Sequence, residues 1–246
     1  NEIFRTGFVD TVGEFRDCVF QEFKFSNDQN YLLLFYEKKI RFLSYDSAGN
    51  FGFVESAPSV PLEVTTEYTL EQCRELQFTQ NFDVMVITHS DHRPKDLVRT
   101  SANSFTFENH PLPFNPFGNS PGKQPRSCLF YKSRLYFANT PDKTTTVWAS
   151  EAGDFNNFDK SGTPTDISPL QFTVADISQP IEWLFGGDNS LIAGSADGIV
   201  AINGGEIGAA ITAESIEADL TSGDGSNGTI PFKKDGLIFY VGKNSR

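Results

Sequence analysis

The feature that most constrains this chain is a run of short apolar stretches joined by polar turns, clearest in residues 127–158. Within it, apolar and polar positions alternate in residues 128–131 (CLFY), 134–138 (RLYFA) and 147–150 (VWAS). This alternation predicts a β-meander rather than helices. A single small meander buries too little apolar surface to be stable alone in water. We therefore expect the same unit to recur along the chain.

A matching unit does recur: an aromatic residue, a short polar turn and an apolar triplet appear together five times. The aromatic residues lie 47–55 residues apart, at Phe25, Phe78, Phe130, Phe185 and Phe232. Propeller blades commonly repeat about every 40–50 residues. We predict an all-β fold: a β-propeller-like array of about five small antiparallel sheets, each of roughly 50 residues, forming a single domain over residues 1–246. The alternative is that any β-rich chain with 24 Phe would show such a spacing by chance.

One short helix is predicted, over residues 69–77. Thr69 and Gln72 have the spacing of a capping box, in which each side chain bonds the other residue's backbone. Leu70, Cys73 and Leu76 would share one face, which we expect to pack against the sheet edge.

Net charge and cysteine content restrict the class of protein. A formal charge of −12 argues against a surface that neutralises nucleic-acid phosphates. No run approaches the roughly 18 apolar residues of a membrane span, so no membrane association is predicted. Cys18, Cys73 and Cys128 form no CxxC pair and are predicted to be buried free thiols, which fits a reducing cytoplasm. The first and last residues lead us to expect a fragment of a longer protein.

His89 and His92, with Asp83 and Asp91, are the one group of metal-ligating residue types. Residues 89–94 are predicted to be a turn, and HxxH outside a helix does not place both imidazoles on one face. We therefore predict no metal site.

Two glycine-containing segments could be mistaken for ligand loops. Gly223, Gly225 and Gly228 lack the spacing of a phosphate-binding loop, so residues 221–229 are predicted to be a flexible loop. Residues 195–198, with Asp197, do not alternate like the ligands of a calcium loop and are predicted to form a turn.

No catalytic motif is present. Asp83, Asp91, Glu151 and Asp154 could supply a glycosidase pair, but nothing in the sequence pairs them. There is no GxSxG nucleophile elbow. We therefore predict that the protein is not an enzyme and assign no catalytic, cofactor-binding or metal-binding residue.

Several motifs resemble phage tail proteins of the tail tubular protein B type, which form the nozzle of short-tailed phages. The strongest is residues 77–89 (QFTQNFDVMVITH) followed by residues 93–99 (RPKDLVR). The similarity extends, in the family's order, to residues 31–35, 40–42, 134–138, 147–150, 153–158 and 221–241.

This resemblance implies a structural virion protein: a β-propeller-containing subunit of a ring, hexameric in the family, that extends the tail channel. It would be assembled in the bacterial host cytoplasm, contact adaptor and fibre proteins in the virion tail, and let DNA pass through the lumen without specific binding. The proline-rich residues 111–125 and the glycine-rich residues 221–229 are our candidates for contacts with neighbours. The alternatives are a carbohydrate-binding or glycan-cleaving β-propeller acting on cell-surface polysaccharide, and a bacterial scaffold propeller unrelated to phage.

Overall fold

The computed structural model describes residues 7–9, 15–26, 29–46, 48–206 and 208–243. Over these residues the chain forms 23 β-strands and one short helix. Four antiparallel sheets follow one another along the sequence, and in each of them consecutive strands pair as a meander. The predicted fold class, all-β with a propeller-like array of small antiparallel sheets, is confirmed.

The strands group by sheet, and three two-stranded hairpins complete the set. The first hairpin pairs β1 (Gly7–Val9) with β2 (Phe15–Asp17). The first sheet contains β3 (Val19–Lys24), β4 (Asn30–Tyr36), β5 (Lys39–Tyr45) and β6 (Phe51–Phe53). The second hairpin pairs β7 (Glu55–Ala57) with β8 (Val60–Pro61), and β9 (Glu63–Thr65) joins the first sheet beside β5.

Three more sheets follow the helix α1 (Leu70–Cys73). The second sheet contains β10 (Gln77–Asn81), β11 (Val84–His89), β12 (His92–Ser101) and β13 (Ser104–Asn109). The third contains β14 (Ser127–Tyr131), β15 (Arg134–Thr140), β16 (Lys143–Ala149) and β17 (Leu170–Thr173). The fourth contains β18 (Ile181–Gly186), β19 (Leu191–Ser195), β20 (Gly198–Asn203) and β21 (Glu217–Ser222), and a last hairpin pairs β22 (Phe232–Lys234) with β23 (Leu237–Phe239).

The five aromatic anchors occupy equivalent places in this strand order. Each lies on, or directly after, the first strand of a unit, and the apolar triplet that follows it lies on the second strand. Four of these units are complete sheets, and the fifth is the hairpin β22–β23. The repeat predicted from the spacing therefore corresponds to a repeat of hairpins.

The second strand is the most buried strand of each sheet. All seven residues of β15 are buried, and β4, β11 and β19 are buried along most of their length. Both edges of such a strand are hydrogen-bonded to neighbours, so a strand whose two faces are also covered is apolar over most of its length. This explains why the apolar triplets are the clearest signal in the sequence.

The chain forms two compact units with different cores. The first includes the first sheet, α1 and residues 95–109, and its core is aromatic. Phe105 packs on three other rings, with centroid distances of 5.4 Å to Phe23, 5.2 Å to Tyr31 and 4.4 Å to Phe42. All three contacts supply both apolar burial and favourable ring geometry, two of them edge-on and one stacked.

The second unit includes the third and fourth sheets and the hairpin β22–β23. One cluster of buried residues in this unit is mainly aliphatic, and includes Val147, Leu184, Leu191, Ala193 and Val200. Trp183 is almost fully buried and lies directly opposite Gly194 across the β18–β19 pair. Its indole Nε1 donates a hydrogen bond to Ser226 Oγ at 2.9 Å.

The helix α1 is capped as predicted but is shorter. Thr69 accepts a hydrogen bond from the Gln72 backbone, and the Gln72 side chain accepts one from Thr69 N. The prediction of a helix to residue 77 is wrong, because Arg74 N and Glu75 N already bond carbonyls three residues back, which tightens the last turn and ends it. Cys73 packs against the end of β4, an interior strand, and not against a sheet edge.

Arg134 fastens the long connection between β16 and β17. Its guanidinium donates hydrogen bonds to four backbone carbonyls, those of Ser150, Asp166, Ile167 and Ser168, at 2.6–3.2 Å. Burial lowers the pKa of Arg134 from its ordinary value. The four carbonyls satisfy the buried cation, which would otherwise be costly to desolvate.

We expect Gly194→Ala to destabilise the protein by about 1–3 kcal/mol or more, the usual cost of overpacking a core. A methyl group at this position would lie 2.1 Å from two atoms of the Trp183 ring, so the indole would have to move and leave Ser226. The free energy of unfolding in urea measures the loss. Gly223→Ala is the matched control, because a Cβ there meets nothing within 4 Å. Equal stability of the two variants would contradict the expectation.

Candidate functional site

The two histidines of the HxxH segment lie close together. Their ring centroids are 5.3 Å apart, and His89 Nδ1 accepts a hydrogen bond from Asp91 N at 3.1 Å. The turn predicted within residues 89–94 is present but shorter: only Ser90 and Asp91 form it, and β12 begins at His92. Within the described ranges, no group of three or more His, Cys, Asp or Glu side chains is placed to hold a metal ion.

Three of the four candidate carboxylates serve local structure. Asp83 forms an ion pair with Arg99 at 3.2 Å. Glu151 accepts a hydrogen bond from the Asn157 side chain at 2.6 Å, and Asp154 accepts one from Asn156 N at 3.0 Å. The fourth, Asp91, lies in the β11–β12 turn.

Asp197 lies in the predicted turn, between β19 and β20, and organises it. Its carboxylate accepts hydrogen bonds from Ser178 N at 2.8 Å, from Gln179 N at 3.2 Å and from the hydroxyls of Ser178 and Ser195 at 2.6 and 2.8 Å. Burial alone would raise the pKa of Asp197, but these hydrogen bonds outweigh it and lower the pKa to about 2. The turn is therefore stabilised by the ionised carboxylate.

We expect Asp197 to make the protein acid-sensitive between about pH 4 and pH 2. Its pKa is lowered from 3.8 to about 2 on folding, so its stabilising contribution is complete above about pH 4 and is lost as the pH falls towards 2. The free energy of unfolding, measured from pH 5 to pH 2, should fall less steeply in Asp197→Asn than in the unsubstituted protein. Asp219→Asn, an exposed position on β21, is the control. The same slope in all three proteins would contradict this expectation.

All three cysteines are buried and free, as predicted. Burial, together with the charge of Asp17, raises the pKa of Cys18 to about 11. Burial, together with the charge of Glu37, raises the pKa of Cys73 to about 12. Thiols with raised pKa values are poor nucleophiles at neutral pH, so neither has the character of a catalytic cysteine.

The two loops proposed for contacts with neighbours are anchored. Residues 111–125 contain no helix or strand, as predicted, yet the Phe117 ring packs edge-on against Phe137 at 5.5 Å and Trp148 at 5.2 Å. Residues 221–229 are not the flexible loop that was predicted. Ser226 is buried, its backbone N bonds Ser195 O at 2.8 Å, and a Cβ on Gly225 would lie 2.0 Å from a backbone oxygen.

The hairpin β22–β23 exposes apolar side chains, although its sequence matches the repeating unit predicted for all five sheets. Phe232 and Phe239 pair across the two strands with stacked rings 5.1 Å apart. Phe232 is 61% exposed and Leu237 is 63% exposed. In the four complete sheets the second strand is covered, whereas β23 is not. We call Phe232, Leu237 and Phe239 the hairpin patch.

A second exposed aromatic group lies in the first unit. Tyr45 on β5 and Phe51 on β6 are direct cross-strand partners, with ring centroids 5.0 Å apart and ring planes tilted by 51°. They border a cavity of about 470 Å³, which we call the Tyr45–Phe51 pocket. Its walls also include Gln29, Tyr31, Asp46, Glu55 and Asn103.

Two polar networks fix the shape of this pocket. The Asp46 carboxylate accepts hydrogen bonds from Ala48 N at 2.9 Å and from the backbone and side chain of Asn50 at 2.8 and 3.0 Å. These bonds, those from Asn50 above all, hold the pKa of Asp46 below its ordinary value. Behind the pocket, Tyr31 Oη donates to Ala102 O at 2.9 Å and accepts from Arg99 Nε at 3.2 Å.

Sequence reasoning missed both exposed surfaces. Alternation reveals that a strand has an apolar face but not whether another element covers that face. One signal was present for the pocket: Tyr45 and Phe51 flank a short turn rich in Asp, Ser, Gly and Asn, which predicts that the two rings pair across a hairpin. No comparable signal distinguishes the hairpin patch from a core strand.

Comparison with protein-family models gives no match, and comparison with curated proteins gives none either. The likeness to phage nozzle proteins therefore rests on the motifs quoted above. None of the described residues belongs to a helix long and apolar enough to cross a membrane.

Proposed function

We propose that the protein is a non-catalytic structural subunit of a phage tail, of the nozzle type. In this proposal it assembles in the bacterial host cytoplasm into a homo-oligomeric ring, which the family implies to be a hexamer. The ring extends the DNA channel of the virion tail and holds adaptor and fibre proteins. The motif order supports the family, and the fold class is the one that the family requires.

The observation that carries this proposal is the hairpin patch. Three large apolar side chains are grouped on one small hairpin, two of them more than 60% exposed, and grouped exposed apolar residues are typical of protein–protein contact surfaces. Burial of these side chains in a protein–protein contact would stabilise the contact by about 25 cal/mol for each Å² of apolar surface removed from water. A subunit that functions only in a ring would use this surface as a contact.

The charge of the hairpin segment supports contact with another copy of the chain. Lys233, Lys234 and Lys243 lie within residues 230–243, where Asp235 is the only acidic residue, whereas the whole chain carries −12. Lys233 contacts Asp188 of the same chain, and Lys234 and Lys243 are exposed. A basic and apolar hairpin on an acidic protein is complementary to the rest of a neighbouring copy.

We expect the full-length protein to form a closed ring, visible by negative-stain electron microscopy and measurable by light scattering after gel filtration.

The double variant Phe232→Ser, Leu237→Ser should weaken self-association by at least about tenfold, because removal of a buried interface anchor costs about 2 kcal/mol or more. Ile167→Ser, at a position that is 53% exposed, is the matched control.

The two results test different statements. Rings that persist in the double variant would reject the hairpin patch as the contact while leaving the nozzle proposal standing. A stable monomer of the full-length parent protein would reject the nozzle proposal itself.

We also expect no appreciable binding to double-stranded DNA. A channel wall must let DNA slide. A chain with 32 acidic and 20 basic residues repels the negatively charged phosphates of DNA at long range. Filter binding at about 50 mM salt, where phosphate contacts are strong, should give no retention. A basic protein of similar size is the positive control. Retention that decreases steeply with added salt would contradict the expected role of the acidic surface.

Glycan cleavage, the catalytic form of the alternative function, has less support. It requires two carboxyl groups about 5–9.5 Å apart that face one bound sugar. Asp83, Glu151 and Asp154 are each held by a local partner in the described part of the chain. Carbohydrate binding without cleavage does not require such a pair of carboxyl groups.

A further inference from the structure

The Tyr45–Phe51 pocket presents two exposed aromatic rings to solvent. Tyr45 is 67% exposed and Phe51 is 53% exposed. The two rings are cross-strand partners, yet no other described element covers them as it would in a core. An aromatic face carries partial negative charge and attracts polarised C–H groups. The face of a pyranose ring consists of such C–H groups, while its rim carries hydroxyls. Paired aromatic rings at a hairpin are therefore suited to a sugar ring.

Polar groups that could meet sugar hydroxyls surround the two rings. Asn103 Oδ1 accepts a hydrogen bond from Ser101 Oγ at 3.1 Å, and no described residue accepts from its amide nitrogen. Glu55 uses one carboxylate oxygen to accept from Ser59 N at 3.0 Å. A hydroxyl both donates and accepts, so it can bond the amide nitrogen and a carboxylate oxygen.

The pocket is preorganised. The turn beneath the aromatic pair is closed by the three hydrogen bonds to Asp46. The rear wall is fixed by Arg99, which bonds Tyr31 and the Gln29 side chain, pairs with Asp83 and lies 3.9 Å above the Phe25 ring. A ligand that enters such a site does not have to order it first, which preserves affinity.

The available space exceeds one sugar. A second concavity of about 420 Å³ shares Tyr31, Ser44, Tyr45 and Phe51 with the first, so the aromatic pair stands between the two. Both volumes fall in the range of small-molecule sites, about 300–1,000 Å³. A chain of two or three sugars could cross the aromatic pair and occupy both.

The charges at the pocket favour a neutral ligand. Glu22, Asp46 and Glu55 line the two concavities, and no Lys or Arg among the described residues does so. An anionic sugar would meet these carboxylates without a compensating cation. We propose that the Tyr45–Phe51 pocket binds a neutral oligosaccharide, with pyranose rings stacked on Tyr45 and Phe51. This site goes beyond the assembly role and does not depend on it.

The test is saturation-transfer NMR with four probes: maltotriose, cellotriose, triacetylchitotriose and the anionic trisaccharide 3′-sialyllactose. We expect at least one neutral trisaccharide to receive saturation on its ring protons, and 3′-sialyllactose to bind more weakly. In Tyr45→Ala and in Phe51→Ala the dissociation constant of that trisaccharide should rise at least tenfold. Phe114→Ala removes an aromatic ring that is 46% exposed outside the pocket, and it should change nothing.

Several results would overturn the proposal. The first is the absence of binding by all three neutral probes at about 10 mM, above the millimolar limit of weak specific recognition. The second is equal binding by the parent and Tyr45→Ala, each verified as folded by circular dichroism. Tighter binding of 3′-sialyllactose would contradict the charge argument. A change of oligomeric state in Tyr45→Ala without saccharide binding would assign the two rings to a protein contact instead.

Discussion

The fold depends on covering small sheets that cannot be stable by themselves. Each sheet has an apolar second strand that must be paired at both edges and covered on both faces. The structure satisfies this in β4, β11, β15 and β19, which are buried along most of their length. The consequence is a chain of similar units in which no single sheet is an independent folding domain.

Different side chains cover the apolar faces of the sheets in the two compact units. The first uses aromatic rings that pack edge to face or stack, centred on Phe105. The second uses aliphatic side chains, together with the indole of Trp183 laid over Gly194. At Tyr45 and Phe51 and at the hairpin patch, apolar side chains are left uncovered by the other described elements. A ligand or a neighbouring subunit could contact these side chains.

Much of the fold could be predicted from the sequence because its pairing is local. Consecutive strands pair through short turns, so a spacing of about fifty residues between aromatic anchors identified five hairpins. The capping box at Thr69 and Gln72 was equally local. The errors arose where distant partners decide the outcome: Ser226 is held by Trp183, 43 residues away, and so anchors a loop that its glycines alone predicted to be flexible. The candidate sites were missed for the same reason, since exposure depends on what other elements leave uncovered.

The hydrogen bonds of Arg134 have a consequence for how this protein could vary. All four acceptors are main-chain carbonyls, so the side chains at positions 150 and 166–168 contribute nothing to them. Asp166 and Ile167 are exposed and can therefore change without loss of these bonds, whereas Arg134 cannot. Ser150 and Ser168 are constrained for another reason, because their hydroxyls accept hydrogen bonds from Leu135 N and Thr165 N. Lysine would not suffice there, because an ammonium has three donors on one atom, whereas Arg134 bonds four carbonyls through two nitrogens of its planar guanidinium. One fixed side chain thus permits diversity in the surface segment that it holds.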